Sequence, residues 1–230
     1  IANCLVGSEM CIRDRVRIDK HIPFEHAALF GCGVVTGVGA VINTASAREE
    51  DSIAIVGLGG VGLSALLASI AIGSKKTIAI DLSNEKLNLA HELGADHILN
   101  PTDANFLERI RDLTSGGANI AIETAGSGRA LKTAYDITRR GGTTVAAGMP
   151  GPKVDITLSH LSIAAEERII KGSYMGSCIA HRDIPKYLDM FQTGKLPVDR
   201  LLSRKITFED LNAAMDRLDD AKTVREVLIP

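Results

Sequence analysis

The sequence predicts an α/β fold built around a parallel, doubly wound sheet. Short apolar runs rich in β-branched residues alternate with longer helical stretches along most of the chain. A glycine-rich turn joins the first of these strands, Ile53 to Val56, to a helix. With 230 residues and 45% apolar content, the chain is long enough for one large domain or one and a half smaller ones.

The glycine turn lies between that strand and a Leu- and Ala-rich helix, and it carries the motif G-x-G-x-x-G at Gly57, Gly59 and Gly62. The first glycine permits the turn, the second lets a pyrophosphate approach the backbone, and the third lets the helix lie against the strand. Gly60 and Val61 open the helix, where free N–H groups and the positive end of the helix dipole face a phosphate pair. This order of strand, turn and helix is typical of a Rossmann-type dinucleotide site.

A second strand, Thr77 to Ile80, ends at Asp81. A carboxylate there can accept hydrogen bonds from the adenosine ribose hydroxyls and repel a 2′-phosphate, so the sequence predicts NAD rather than NADP. Two alternatives stay open. The glycines could serve packing alone, or the site could bind another adenosine-containing ligand such as a methyl donor.

The alternation of strands and helices continues, which predicts a six-stranded parallel sheet with right-handed crossovers. The further strands are expected at 96–99, 119–123, 143–147 and 169–175. The carboxyl ends of such strands line the cofactor cleft, so four residues are expected beside the nicotinamide: Thr124, Ala125, Gly148 and Met149. The simpler reading is that they end strands without touching a ligand.

The segments on either side of the sheet are predicted to be mainly helical. Before it, Pro23 begins a short helix to Phe30, and Val34 to Thr44 forms a second. Cys32 lies in the turn between them, and from composition alone it reads as a small buried apolar residue. After the sheet, helices are expected at 183–192 and 208–218, the second with Thr207 as its N-cap, and a strand at 225–229.

Composition excludes several classes of partner. The net charge is −2 with acids and bases interspersed, and aromatic residues make up 3%, so neither a nucleic-acid surface nor an anionic-membrane patch is expected. No apolar run is long enough to span a bilayer. The expected compartment is the cytoplasm. The four cysteines, Cys4, Cys11, Cys32 and Cys178, are expected to be thiols.

Residues 1–15 differ from the rest because their apolar positions follow neither the helix nor the strand period. The run CLVGSEMCIRDR resembles a translated sequencing adapter, so this segment is expected to be non-native and Cys4 and Cys11 are not expected to bind metal. The alternative is a genuine N-terminal strand.

Three separated segments, GCGVVTGVGAVINTA, GLGGVG with Asp81, and AKTVREVLI, together resemble the zinc-dependent alcohol dehydrogenases of the medium-chain dehydrogenase/reductase superfamily. The glutathione- and mycothiol-linked branches are included. The resemblance covers roughly His21 to Pro230. It implies that Cys32 is the last protein ligand of a catalytic zinc, that Thr36 lies near the nicotinamide, that Lys86 helps hold the adenosine ribose, and that Arg225 pairs with the pyrophosphate.

The same resemblance implies a division into parts: 16–33 as the end of an N-terminal catalytic part, 34–175 as the NAD-binding domain, and 176–230 as the remainder of a GroES-like catalytic domain. It places the other zinc ligands and the proton relay upstream of Pro23, in a region that this sequence lacks. Because affinity for zinc comes from several preplaced ligands, the site with Cys32 alone is incomplete and is expected to bind zinc poorly.

The sequence therefore predicts an enzyme by family: NAD- and zinc-dependent oxidation of an alcohol by hydride transfer, with a chain that binds NAD at best and turns over little. A nucleotide-binding module without chemistry is the alternative. A zinc-free quinone reductase of the same superfamily is weaker, since the GCG turn carries a cysteine. A homodimer or homotetramer is expected, as is poor solubility from exposed apolar surface.

Overall fold

The computed structural model describes residues 15–219 and 223–229. Most of the predicted non-native segment, with Cys4 and Cys11, lies outside the described residues, as do Ala221 and Lys222 of the C-terminal motif and the final residue, Pro230. The described residues form an α/β structure with a six-stranded parallel sheet, which confirms the predicted fold class.

Two helical segments precede the sheet. Helix α1, Phe24–Ala27, continues as a 3-10 turn over Ala28–Gly31, and helix α2, Gly33–Gly39, continues as a π-helical turn over Ala40–Thr44. The sheet and its crossovers follow in chain order: β1 Ser52–Val56, α3 Gly60–Ala71, β2 Lys76–Ile80, α4 Asn84–Glu92, β3 His97–Leu99, α5 Phe106–Thr114, β4 Ala118–Glu123, α6 Gly128–Ile137, β5 Thr138–Ala146, α7 His160–Ala165 and β6 Ile169–Gly172.

The remaining elements form a smaller unit beside the sheet. Helix α8 spans Ala180–Gln192, and a 3-10 turn at Val198–Leu201 leads into strand β7, Leu202–Ile206. After helix α9, Leu211–Asp216, strand β8 at Arg225–Leu228 pairs with β7 in a parallel two-stranded sheet.

The strand order of the large sheet is β3-β2-β1-β4-β5-β6. The chain winds outward from β1 in one direction and then outward from β4 in the other, so β1 and β4 are neighbours at the switch point. Ligands of open α/β sheets bind in the crevice at the carboxyl ends of these strands. All five residues of β1 are buried, as expected for a central parallel strand covered on both faces.

Side chains of β1 alternate between two cores, one on each face of the sheet. Ile53 and Ile55 belong to the core that includes residues of α2, α3 and α8. Ala54 and Val56 belong to the core that includes residues of α5 and α6. The period of two is the geometry of a strand, and helices on both faces make the sheet doubly wound.

Helices α2 and α3 cross at very short range. A Cβ at Gly37 of α2 would lie 2.8 Å from the backbone nitrogen of Ala65 and would collide with the carbonyl of Val61, both in α3. Glycine is therefore required at this crossing. The contact packs the helix that follows Cys32 directly on the helix that follows the glycine turn.

Some predicted elements differ in extent. Helix α9 begins at Leu211 with Asp210 as its N-cap, so the prediction that Thr207 caps this helix was wrong. Residues 207–210 form a turn in which the Thr207 N–H lies 3.5 Å from Asp210 Oδ2. Strand β6 ends at Gly172, earlier than predicted. Helix α7 was not predicted.

The larger core crosses the predicted domain boundaries. It contains Phe30 from the first predicted part, Ile53 from the second and Tyr187 from the third. The division at residues 33/34 and 175/176 therefore stays a prediction.

Within the described ranges, no single helix is long and apolar enough to cross a membrane. The consecutive helical segments Phe24–Gly31 and Gly33–Thr44, bent by 57°, meet the length and composition test only as a pair.

Candidate cofactor site

The glycine turn after β1 has the conformation that its motif predicts. Gly57 has a φ of +96°, which disfavours any residue with a Cβ. A Cβ at Gly62 would collide with the Gly57 carbonyl and lie 2.7 Å from Thr124 Oγ1. At Gly59, by contrast, a Cβ would meet no described atom within 4 Å. The turn is therefore tight at its first and third glycines and open at the second.

Helix α3 begins directly behind this opening. Its N-cap is Gly59, which has no side chain to accept a backbone hydrogen bond, and its first turn holds no acidic residue. The helix has twelve residues, and its first N–H groups have no partner within an α-helix. Gly60 and Val61, at this end, are only half-buried. The arrangement presents backbone donors and the positive end of a helix dipole to an anion.

Asp81 follows β2 and faces the same turn. Its Oδ2 accepts the Leu58 N–H at 2.7 Å and its Oδ1 accepts the Ser83 N–H at 2.9 Å. An ionised carboxylate offers about four lone-pair sites, so two bonds to the protein leave acceptor capacity for hydroxyl donors. Asp81 thus both holds the glycine turn and faces the cleft.

A cleft of about 360 Å³ extends from Asp81 between the ends of β2 and β4. Predicted site residues on its wall are Gly57, Asp81, Lys86 and Ala125. Other wall residues were not predicted: Val56, Ile80, Leu82, Pro101, Thr102, Ser127, Arg129, Ala130 and Thr133. Most of these follow the carboxyl ends of β2, β3 and β4, so their position after predicted strands was the signal that could have identified them.

Arg225, the first residue of β8, reaches the other side of the glycine turn. Its guanidinium lies so close to Gly33 and Gly60 that a Cβ at either position would collide with it. The starts of α2 and α3 therefore converge on one planar cation that can bind phosphate through two donors. The sequence separates Arg225 widely from both helices, and tertiary packing brings the three together.

Cys32 lies next to Arg225, and Thr36 lies one helical turn after Cys32. Cys32 is exposed and lines a cavity of about 320 Å³ together with Gly33 and Arg225. Exposure corrects the composition-based reading of Cys32 as a buried apolar residue. Thr36 is buried, and its hydroxyl donates to the Cys32 carbonyl at 2.8 Å and contacts Met175 Sδ at 3.8 Å. The structure thus brings Thr36 beside Cys32 with its hydroxyl already engaged by protein atoms.

The far end of α2 is anchored by a polar cluster. The Asn43 side-chain amide lies 3.2 Å from Asp183 Oδ2, 3.0 Å from the Tyr187 hydroxyl and 3.2 Å from the Gly176 carbonyl. Asp183 is buried and pairs with Arg182 at 2.6 Å, and the hydrogen bond from Arg182 lowers the pKa of Asp183. This cluster fixes the helix that carries Thr36 against α8.

The four predicted nicotinamide-side residues lie in the turns that follow β4 and β5. Thr124 Oγ1 donates to the Gly57 carbonyl at 2.7 Å. Ala125 is in contact with Gly57, since a Cβ added to Gly57 would lie 2.8 Å from the Ala125 Cβ. Gly148 packs against Gly126, whereas the Met149 side chain is 77% exposed. Thr124 and Ala125 therefore join the glycine turn directly, and Met149 points away into solvent.

Glu123, the last residue of β4, was not predicted. It is 2% exposed, and its Oε1 accepts the Gly126 N–H at 2.6 Å. Burial raises the pKa of Glu123, and hydrogen bonds from backbone N–H groups oppose that increase. The apolar strand before it gave no sign of a functional carboxylate, because Glu123 reads there as a simple strand end.

The metal-ligand chemistry of a catalytic zinc site is incomplete in the described part of the chain. Residues 15–219 and 223–229 contain no group of three or more His, Cys, Asp or Glu side chains that could hold a metal ion. A catalytic zinc takes three protein ligands and keeps one open position. Cys32 can supply one thiolate, and the described residues alone do not fit a zinc site.

Comparisons with known proteins agree with this architecture. The chain is 33% identical over 215 residues to a geraniol dehydrogenase of Castellaniella defragrans, across 93% of this chain and 57% of that protein. It is 28% identical over 221 residues to an S-(hydroxymethyl)glutathione dehydrogenase of Paracoccus denitrificans, across 93% and 59%. The crystal structure of benzyl alcohol dehydrogenase from Acinetobacter calcoaceticus superposes with a TM-score of 0.89 at 31% identity, again across 93% and 59%.

The chain therefore spans less than three-fifths of the length of each of these proteins. Residues 60–193, more than half of the chain, match the family described as Zinc-binding dehydrogenase. This range runs from the start of α3 to the end of α8 and includes most of the cleft. The chain belongs to the zinc-binding dehydrogenase family.

Proposed function

We propose that this chain is the NAD-binding part of a dehydrogenase that oxidises an alcohol by hydride transfer. The observation that carries the proposal is the open start of α3, with Asp81 on one side and Arg225 on the other. A dinucleotide joins two nucleosides through a pyrophosphate, so it needs an anion site beside a hydroxyl acceptor. These three groups provide both.

Each part of NAD has residues to hold it in this proposal. The N–H groups at Gly60 and Val61 and the guanidinium of Arg225 bind the pyrophosphate. Asp81 accepts the ribose hydroxyls, Lys86 assists it, and the apolar cleft around Leu82 and Pro101 takes the adenine. The turns at 124–125 and 147–149 border the nicotinamide, with Thr36 below it.

Bound NAD supplies the hydride acceptor: a C–H hydride of the alcohol passes to the nicotinamide, the hydroxyl proton is released, and an aldehyde or its equivalent and NADH result. The protein's part is to hold the ring against the turns after β4 and β5 and to keep water from it. The names of the relatives support a small-molecule alcohol, and one of them supports a hydroxymethyl adduct of glutathione. The mycothiol adduct rests on the resemblance of the sequence motifs alone. Cys32 is proposed as one zinc ligand.

A non-catalytic nucleotide-binding module is the second candidate. It is favoured by the metal chemistry of the described residues, which contain no group of three or more His, Cys, Asp or Glu side chains that could hold a metal ion. Both candidates require dinucleotide binding, and only the first requires Cys32 for turnover. Loss of alcohol-dependent NADH formation on Cys32→Ser in a longer, active chain supports the first.

The proposal extends to assembly. The outer strand β6 and the segment after it expose Ile169, Ile170 and Tyr174, the last at 77%. Apolar groups on an unpaired strand edge favour association between copies, in line with a homodimer or homotetramer. A sedimentation profile showing only monomer at micromolar concentration would contradict this part.

The first test is calorimetry of NAD and NADP binding to the full chain and to Asp81→Ala and Asp81→Asn. We expect NAD to bind more tightly than NADP, and Asp81→Ala to weaken NAD about tenfold through loss of charge-assisted hydrogen bonds. Asp81→Asn keeps an acceptor for the Leu58 N–H but loses the negative charge, so it should chiefly relax the discrimination against NADP. Asp96→Asn is the control, because Asp96 accepts the Thr77 N–H at the amino end of β2, the end opposite to Asp81. Absence of binding of either dinucleotide would overturn the proposal.

A further inference from the structure

The Glu123 carboxylate lies where several backbone donors meet. It is buried at the end of β4, and the N–H of Gly126 donates to Oε1 at 2.6 Å. The backbone N–H groups of Ala125, Ser127 and Gly148 are close enough to favour the charged form of this carboxylate, and the N–H groups of Ala147 and Gly148 also donate to the main-chain carbonyl of Glu123 at 2.9 and 3.0 Å. Burying an ionised carboxylate is costly unless donors surround it, and here the donors come from two different turns.

The two turns interlock through glycines. A Cβ at Gly148 would collide with the Gly126 nitrogen and would lie 2.8 Å from Glu123 Oε1. Gly126 has a φ of +69°, and a Cβ there would lie 2.8 Å from the Met149 carbonyl oxygen. The turn after β4 and the turn after β5 are thus in backbone contact, with the carboxylate of Glu123 between them.

The first of these turns is bonded in turn to the glycine motif. Thr124 Oγ1 donates to the Gly57 carbonyl, and Ala125 packs against Gly57. A shift of residues 124–127 therefore moves the wall against which Gly57 packs. Glu123 itself does not line the cleft that contains Asp81; it lines a separate cavity with Gly148 and Asp155.

On the basis of the cofactor role proposed above, we propose that Glu123 is a positioning residue whose carboxylate clamps the turns 124–127 and 147–149 and thereby sets the shape of the dinucleotide cleft. The clamp needs an anion, since its donors are N–H groups that converge on one point. A neutral amide in the same place keeps an acceptor oxygen but loses the negative charge that strengthens hydrogen bonds from these donors.

The test compares Glu123→Gln with the unchanged chain by amide hydrogen exchange without cofactor and by NAD calorimetry. We expect faster exchange at Gly126 and Gly148 and an NAD affinity about tenfold lower, the scale of one lost hydrogen bond to a charged group. Asp96→Asn, at the amino end of β2, should change neither the exchange rates of the two glycines nor the NAD affinity. If Glu123→Gln does not fold, Glu123→Asp keeps the charge but retracts it by one methylene, and the same pattern is expected with smaller changes.

A pH series separates positioning from a purely structural role. The NAD affinity of the unchanged chain divided by that of Glu123→Gln should fall as acid protonates Glu123. Asp155, Asp81 and Lys86 are present in both proteins, so their contributions cancel in this ratio. A constant ratio, or unchanged exchange at both glycines, overturns the clamp. If the unchanged chain does not bind NAD, the proposed function is overturned, and the exchange data alone decide the clamp: unchanged exchange rejects it, and acceleration confined to the two turns supports it.

Discussion

The two helices that follow the central strands begin in opposite ways. Helix α3, after β1, has a glycine N-cap without a side chain, an open approach at Gly59 and no acid in its first turn. Helix α6, after the neighbouring strand β4, has Ser127 as N-cap, whose Oγ accepts the Ala130 N–H at 3.1 Å, and the buried Glu123 just before it.

The difference shows how one topology creates a single anion site from two similar junctions. Backbone N–H groups at a helix start attract an anion only while no side chain satisfies them. At α6 the protein provides its own acceptor and its own carboxylate. At α3 it provides neither, so a phosphate from outside can fill that place. Four changes test this contrast.

The largest effect is expected for Gly62→Ala, on the tight side of the open junction. The new Cβ would meet the Gly57 carbonyl, which is backbone and cannot move aside cheaply. Overpacking of this kind should lower the free energy of unfolding by about 3 kcal/mol or more. Urea denaturation measures it, and a loss no greater than that of Gly59→Ala would contradict the described geometry.

Gly59→Ala should separate binding from stability. Its Cβ meets no described atom within 4 Å, so stability should change by less than about 0.5 kcal/mol. The methyl group would stand where a pyrophosphate approaches, and NAD affinity should fall about tenfold or more, equivalent to at least about 1.4 kcal/mol. Gly172→Ala is the matched control, because its Cβ also meets no described atom but lies on β6. Equal NAD affinity in both variants would argue that α3 is not the anion site.

Ser127→Ala should cost about 1 kcal/mol of stability, since it removes a helix cap. Thr207→Ala is the comparison, because Thr207 lies in the turn before α9 and does not cap that helix. Its loss of stability should stay within about 0.5 kcal/mol. Thermal and urea unfolding of both variants provide the measurement. A Thr207 variant as unstable as the Ser127 variant would restore the cap predicted from the sequence.

The smallest effect is a pH dependence from Glu123. Its pKa in the folded protein is raised above the ordinary 4.5 by burial, so between the two values the folded state holds the proton more tightly than the unfolded chain. The stability from this group is fully present below pH 4.5 and is lost as pH rises through the folded pKa. The difference in unfolding free energy between the unchanged chain and Glu123→Gln should therefore decrease with rising pH in that window. A difference that increases would show that the pKa is lowered instead.

The local pattern alone was sufficient to predict the sheet and the glycine turn. Strand β1, the turn at Gly57 to Gly62 and the following helix are adjacent in sequence, so periodicity and glycine spacing describe them before any tertiary contact forms. The same holds for Asp81, which ends the next strand. The α/β class and the six parallel strands followed from this alternation.

Tertiary structure alone decided what surrounds that turn. Arg225 meets Gly33 and Gly60 only because β8 folds back over the starts of two helices, and no spacing rule connects these positions. Family resemblance named Arg225, but its contacts required the fold. Cys32 is likewise exposed in the fold, whereas composition alone had suggested a buried apolar residue.

Glu123 shows most clearly why the sequence alone could not predict the surroundings of the glycine turn. In the sequence it is one acid after an apolar strand, like many solvent-facing strand ends. Burial and nearby backbone N–H groups from two turns give it a different environment, and the pairing of β4 with β5 brings the second of these turns to it. The sequence by itself determined which segments become strands, turns and helices, because those depend on neighbours along the chain. Which distant groups surround each helix start, such as Arg225 at the start of α3 and Gly148 beside Glu123, depended on neighbours in space.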